Sequence, residues 1–291
     1  MGDRMTCDAQ HANAALPPPF FQEQGQGEVV VCLHSNASTS AQWRQLSDLL
    51  SDRFHVFAVD GCGAGKSPDC PPSTDATLDA EVAFLSPVLQ AAGEQFHLVG
   101  HSYGAAVALQ LATRYPERVL SVVLYEPTLF YLVAGDNPLT SPAAGIWQAS
   151  SDAAALVDQG NNGAAAERFV DFWMTEGSWR QMPGKRQEMV ARAVRNVGRW
   201  RDQTFAPGAP STAFTSLQMP ILLMWGDCSP ESSQSVVRFL AAILPDVSSA
   251  PLAGVGHMGS SNRCRASMPA ASRASRCKSV FCRSESDDTR M

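Results

Sequence analysis

Between residues 28 and 125 short apolar runs alternate with segments of helical length, and no other feature of the sequence restricts the fold as strongly. The runs at 28–34, 54–60, 95–100 and 119–125 are short, bounded by polar or turn-forming residues, and read as buried strands. The intervening segments, about 40–52, 77–92 and 103–114, read as helices. Strands linked in this way run parallel through right-handed crossovers, and strands apolar along their whole length need cover on both faces. The chain is therefore expected to be α/β, with a mostly parallel, doubly wound sheet.

The alternation stops at Pro127 and returns with a strand at 220–226, a helix at 231–244 and a last strand at 247–252. Residues 20–126 and 217–258 thus form the expected core. Residues 127–216, read as loops and helices, form an insertion seated over the sheet. Its aromatics include Trp147, Phe169, Phe172, Trp173, Trp179, Trp200 and Phe205. Some of these are expected to hold the insertion together and the rest to line a pocket. Residues 1–19 read as a flexible N-terminal segment.

Composition narrows the function. The 291 residues carry 22 Lys and Arg against 28 Asp and Glu, so the broad positive field that phosphate backbones need is missing and no nucleic-acid partner is expected. The charge is uneven: residues 1–258 hold 15 basic and 25 acidic side chains, residues 259–291 seven and three. No run approaches 18 uncharged apolar residues, so no membrane span is expected. The first 20 residues lack the apolar stretch of a secretory signal. Cysteines at 7, 32, 62, 70, 228, 264, 277 and 282 include no Cys-x-x-Cys pair, which suggests neither a disulfide framework nor a zinc site. A reducing, cytoplasmic location is the reading that follows.

The strongest local signal is Gly100-His101-Ser102-Tyr103-Gly104, between an apolar strand and an Ala-rich helix. A serine at such a tight turn has its hydroxyl raised above the sheet, and flanking glycines avoid collisions with neighbouring backbone. His34-Ser35-Asn36 follows the first clear strand, residues 60–67 (DGCGAGKS) the second, and Gly254-Val255-Gly256-His257-Met258 the last. The stretch 60–67 nearly matches a phosphate-binding loop, but the position that needs the first glycine holds Asp60, so nucleotide binding is not expected.

With these four motifs in this order, residues 20–258 resemble the α/β-hydrolase superfamily, in particular its serine-nucleophile members with a helical cap. The resemblance implies Ser102 as nucleophile and His257 as general base, and the backbone N–H groups of Tyr103 and Asn36 as the oxyanion hole. The chemistry agrees: a hydroxyl is a poor nucleophile near neutral pH, and an imidazole can take its proton and return it to the leaving group. Where the family usually has His-Gly, this chain has His34-Ser35.

For the third member Glu126 is the expected acid, with Asp227 as the alternative. The family usually carries an Asp three residues after Gly226, where Ser229 stands, and Asp227 lies two residues earlier. Glu126, between an apolar strand and Pro127, occupies the place some relatives use, and a buried carboxylate there calls for a partner such as an imidazolium. No cofactor and no metal are implied. Hydrolysis of a small or medium, apolar carboxylic ester is the expected reaction, with haloperoxidase-like and carbon–carbon hydrolytic activities sharing the same triad. The alternative is a non-catalytic member binding a small ligand under the cap. Residues 259–291, with eight Ser, six Arg and three Cys, lack the family's final amphipathic helix and are expected to be disordered.

Overall fold

The structure is a computed structural model that describes residues 17–70 and 75–259. Seven strands form one sheet: β1 (Phe21–Gln24), β2 (Glu28–Leu33), β3 (Phe54–Val59), β4 (Phe96–His101), β5 (Val119–Tyr125), β6 (Ile221–Gly226) and β7 (Val247–Leu252). Their order is β1-β3-β2-β4-β5-β6-β7, parallel throughout except for β1, which pairs antiparallel with β3. The expected doubly wound α/β architecture is present. β1 escaped the sequence reading because it is a four-residue edge strand with little burial, held by backbone pairing that leaves no hydrophobic signature.

Side chains on β2 show why the strands read as continuous apolar runs. Val31 and Leu33 face one layer of helices, and Val30 and Cys32 face the other. The second layer holds α1 (Arg44–Leu50), whose Leu46 and Leu50 join Trp43 against Val30, Val56 and Ala58. The first holds α2 (Leu78–Phe84), α3 (Ser86–Ala91) and α4 (Tyr103–Arg114). The helix expected over 77–92 is two helices meeting at Leu85, where Pro87 enters the second as a first-turn residue without an N–H to donate. Ten consecutive residues of α4 are buried, Leu109 and Leu111 completely. Truncating either leucine to alanine would cost about 2–5 kcal/mol.

Between β5 and β6 the chain forms α5 (Tyr131–Ala134), α6 (Ala144–Asp158), α7 (Asn162–Trp173), α8 (Ser178–Gln181), α9 (Gly184–Ala193), α10 (Val197–Phe205) and α11 (Ser211–Phe214), with no strand. After β6, α12 (Glu231–Ile243) returns to β7, burying Val236, Val237 and Leu240. Apart from 17–19 and Gly259, the expectations for the N-terminal segment and for the tail lie outside the described residues. No helix among the described residues is long and apolar enough to cross a membrane.

One expectation needs correction. Cys62 and Cys70 are joined in a disulfide, their Cα atoms 5.5 Å apart. The loop after β3 folds back on itself through the Gly63 N–H bond to the Pro68 carbonyl, which brings together two cysteines whose spacing carried no signal. Cys32 is a buried free thiol whose ionisation burial suppresses.

Candidate active site

The carboxyl ends of β2, β4, β5, β6 and β7 lie side by side, with Leu33 paired to Gly100, His101 to Tyr125, Tyr125 to Met224 and Met224 to Ala250. The residues of the four motifs, with Glu126 and Asp227, lie at or follow the strand ends at this edge, where ligands of open parallel sheets bind. Three non-glycine residues among those described have positive φ: Ala37 at 55°, Ser102 at 57° and Glu126 at 48°. All three lie in turns at this edge. Strain of this kind costs about 1–3 kcal/mol each and persists where the surroundings over-determine it.

At the turn from β4 to α4 the surroundings are explicit. A Cβ at Gly100 would stand 2.5 Å from the Ala105 Cα, and one at Gly104 would stand 2.2 Å from the Leu33 carbonyl oxygen. Neither position tolerates a side chain. The Ser102 N–H donates to the Tyr125 carbonyl at 2.8 Å, and the Ser102 carbonyl accepts from the Thr128 N–H at 3.3 Å. So fixed, the Ser102 hydroxyl stands 2.9 Å from His257 Nε2.

His257 Nδ1 lies 2.5 Å from Glu126 Oε2, which assigns the ring proton to Nδ1 and leaves Nε2 to accept from Ser102. Glu126 is completely buried. Its other oxygen, Oε1, accepts from the Gly226 N–H at 2.8 Å and from the Ser229 hydroxyl at 2.5 Å. Burial alone would raise this carboxyl. The facing imidazole, aided by the Gly226 and Ser229 donors, outweighs it and holds the group below the usual carboxylate range. Asp227 is turned to other work: its Oδ1 accepts from the Gly254 N–H at 2.8 Å and from the Cys228 thiol at 3.3 Å, closing the loop ahead of His257. Of the two carboxylates weighed in the sequence, the preferred Glu126 meets His257 and the alternative Asp227 does not.

Asn36 lines the same cavity as Ser102 and His257, and Tyr103 begins the helix behind the serine. Neither backbone N–H donates to a protein acceptor among the described residues, which leaves both able to bond an oxygen brought into the site. Ser35, in place of the family's usual glycine, is tied by its N–H and its hydroxyl to Gln42 Oε1. The Gln42 amide donates to His101 Nδ1 at 3.0 Å, and His101 Nε2 donates to the His257 carbonyl at 3.0 Å. This chain of bonds couples the Asn36 loop to the His257 loop. Burial, reinforced by the facing His257 ring, lowers the pKa of His101 to about 3 and keeps it neutral. His34 is also buried and neutral, its Nδ1 donating to the Ser35 carbonyl and its Nε2 accepting from the Gly61 N–H.

Several contributors were not legible in the sequence. Gln42 and Ser229 lie outside the motifs, although Ser229 stands at the family's usual acid position. Glu81 on α2 is buried, with Oε1 accepting from the Cys62 N–H and Oε2 from the Tyr103 hydroxyl, and so anchors the side chain next to Ser102. Trp173 of α7 stacks on His257 with ring centroids 3.9 Å apart and 26° between planes, shielding the imidazole from the helical side. Phe169, Trp200 and Phe205 line the cavity with it, whereas Trp147 and Phe172 pack edgewise behind them. Asp60 folds the 60–67 loop around its own carboxylate, accepting from the Ser40 and Lys66 N–H groups, an arrangement that repels phosphate. Among the described residues no cluster of three or more His, Cys, Asp or Glu could hold a metal ion.

The sequence and the fold have counterparts among known proteins. Over 116 residues the chain is 34% identical to a cis-3-alkyl-4-alkyloxetan-2-one decarboxylase of Shewanella oneidensis, covering 38% of this chain and 36% of that protein. Over 123 residues it is 32% identical to a pimeloyl-[acyl-carrier protein] methyl ester esterase of Aeromonas hydrophila, covering 40% and 45%. The matches thus span less than half the length of these curated relatives. An alpha/beta hydrolase from Sphaerobacter thermophilus shares the fold with a TM-score of 0.65 at 22% identity, over 85% of this chain and 97% of that one. The family described as alpha/beta hydrolase fold matches residues 28–261, and with four-fifths of the sequence covered the chain belongs to that family.

Proposed function

We propose that this protein is a serine hydrolase that cleaves a small or medium carboxylic ester through an acyl-enzyme. The observation that carries the reading is the continuous relay from Ser102 Oγ through the two nitrogens of His257 to the buried Glu126 carboxylate, with spacings of 2.9 and 2.5 Å. In this reading residues 127–216 are a cap that walls the acyl or alcohol pocket with Phe169, Trp173, Trp200 and Phe205.

His257 Nε2 takes the Ser102 proton as Oγ bonds to the ester carbonyl carbon. The charge that moves to the carbonyl oxygen is met by the N–H groups of Tyr103 and Asn36, each worth roughly a hundredfold to a thousandfold in rate in comparable sites. Glu126 stabilises the imidazolium and holds its ring orientation, and the Trp173 face adds a cation–π contact while excluding water. The imidazolium then protonates the departing alkoxide. In the second half, His257 removes a proton from water, the hydroxide adds to the acyl carbon, and Ser102 leaves with the proton returned. A serine at position 102 disfavours epoxide opening and halide displacement, which in this fold employ a carboxylate there.

The test is hydrolysis of short-chain esters with the acyl-enzyme trapped and weighed by mass spectrometry. The expected result is turnover and an acyl adduct on Ser102 in the wild type, with both lost in Ser102→Ala. Turnover that survives Ser102→Ala would refute the assignment.

A further inference from the structure

The cavity that opens onto Ser102 has walls of Trp, Phe, Val, Ile and Met side chains, and no Asp or Glu lines it. Several polar side chains interrupt these walls; the Ser35, Ser150 and Thr204 hydroxyls bond within the protein, and two other features bear on what the cavity could hold. Thr128, whose N–H bonds the Ser102 carbonyl, is 3% exposed, and its hydroxyl has no hydrogen-bond partner in the protein. A buried hydroxyl left unmet costs about 1–3 kcal/mol unless a ligand or water meets it.

The second feature is cationic: Arg186 and Arg201 both line the cavity. Arg201 is answered by the protein, with two nitrogens on Asp202 Oδ1 at 3.0 and 2.9 Å, a third on the Ser151 hydroxyl at 3.3 Å, and its guanidinium over the Trp147 ring. Arg180, on the neighbouring α8, pairs with Glu167. Arg168 pairs with Asp152. The Arg186 side chain is exposed and has no ion pair or hydrogen bond to protein among the described residues, while Lys185 beside it is exposed and lies outside the cavity. The pocket therefore presents Ser102, an apolar span and an exposed planar cation that no protein carboxylate pairs, with no Asp or Glu in the lining to repel an anion.

We infer that the preferred substrate is an ester with one apolar arm ending in a carboxylate, which Arg186 binds while the ester lies at Ser102. Guanidinium and carboxylate are matched in planar, two-point geometry. The inference rests on the serine-hydrolase reading and deepens it by naming the substrate class.

Two matched pairs of probes test it and distinguish which arm carries the charge: monomethyl adipate against methyl hexanoate for the acyl arm, and the acetate ester of ω-hydroxyhexanoate against hexyl acetate for the alcohol arm. In one pair the wild type should favour the anionic ester by about tenfold in kcat/KM, expressed in KM, a preference that falls with added salt. Arg186→Gln should reduce that ratio by about tenfold, and Lys185→Gln, an equal change of charge outside the cavity, should not. A ratio near or below one in both pairs, or a ratio unmoved by Arg186→Gln, would overturn the inference while hydrolysis of the neutral esters leaves the serine-hydrolase reading standing. If no ester turns over, that reading fails and calorimetry with adipate decides the subsite alone: binding weakened by Arg186→Gln supports it, and equal or absent binding overturns it.

Discussion

The turns leaving β5 and β6 lie next to each other, and each places a carboxylate one residue beyond the strand. Glu126 follows Tyr125 and is completely buried; Asp227 follows Gly226 and is exposed. Glu126 receives three donors, an imidazole, a backbone N–H and a hydroxyl, whereas Asp227 ties down the start of the loop that carries His257. The difference teaches that proximity to a strand end does not make a relay acid. A carboxylate suits this work when it is desolvated and both of its oxygens are met by donors, because its charge is then both strong and fixed. Ser229 makes the comparison sharper. The residue at the family's usual acid position now donates to the acid that stands on the neighbouring strand.

The largest effect that would break this comparison is on turnover. Glu126→Gln should lower kcat by roughly 10³–10⁴-fold on a short-chain ester, since the amide cannot hold the imidazolium or enforce its tautomer. Asp227→Asn should change kcat by less than about threefold, since its exposed bonds to a neutral loop are worth little. Steady-state kinetics on both proteins, with circular dichroism to confirm folding, checks the pair; the reverse ranking would move the acid to β6.

A smaller effect isolates the supporting donor. Ser229→Ala removes one hydrogen bond to a buried carboxylate and should destabilise the protein by about 1.5–3 kcal/mol. It should also raise the Glu126 pKa, so activity on the acid side is lost at higher pH than in the wild type. Urea unfolding and a pH–rate profile read the two consequences, and an unmoved acid limb would show that Ser229 does not support the charge.

The smallest effect concerns the link between the loops. His101 is neutral in the folded protein down to about pH 3. An unfolded histidine titrates near 6.5. Within that window the unfolded chain holds a proton that the folded one does not. The group's contribution is therefore complete above about pH 6.5 and declines as pH falls, by up to about 1.4 kcal/mol per unit. Urea midpoints at pH 7, 6 and 5, above the range where Glu126 protonates, should show a shallower decline for His101→Gln than for the wild type. Equal slopes would contradict a buried neutral His101.

Most of the sheet could be read from the sequence because β2, β3 and β4 are buried on both faces along most of their length, and a residue such as Val31 or Leu98 has no polar alternative. β1 could not, since pairing of Phe21–Gln24 with β3 depends on backbone bonds alone. The Ser102 turn was legible through Gly100 and Gly104, which local sterics require. Glu126 was preferred over Asp227 from its place between an apolar strand and Pro127, but its donors Ser229 and Gly226 were not legible, because where they aim their hydrogens is set by loop paths with no periodic pattern. Gln42 was hidden for the same reason, and Trp173, already named among the insertion aromatics, could not be told apart from its packing neighbours.

The central claim, that Ser102 is activated through His257 by Glu126, is tested most directly by a fluorophosphonate, which needs no knowledge of the substrate. Intact-mass measurement of labelling rates should give one adduct per wild-type chain, none on Ser102→Ala, near wild-type labelling of Asp227→Asn, and labelling of Glu126→Gln slowed by roughly 10³-fold or more. Labelling of Ser102→Ala at the wild-type rate, or of Glu126→Gln as fast as the wild type, would contradict it.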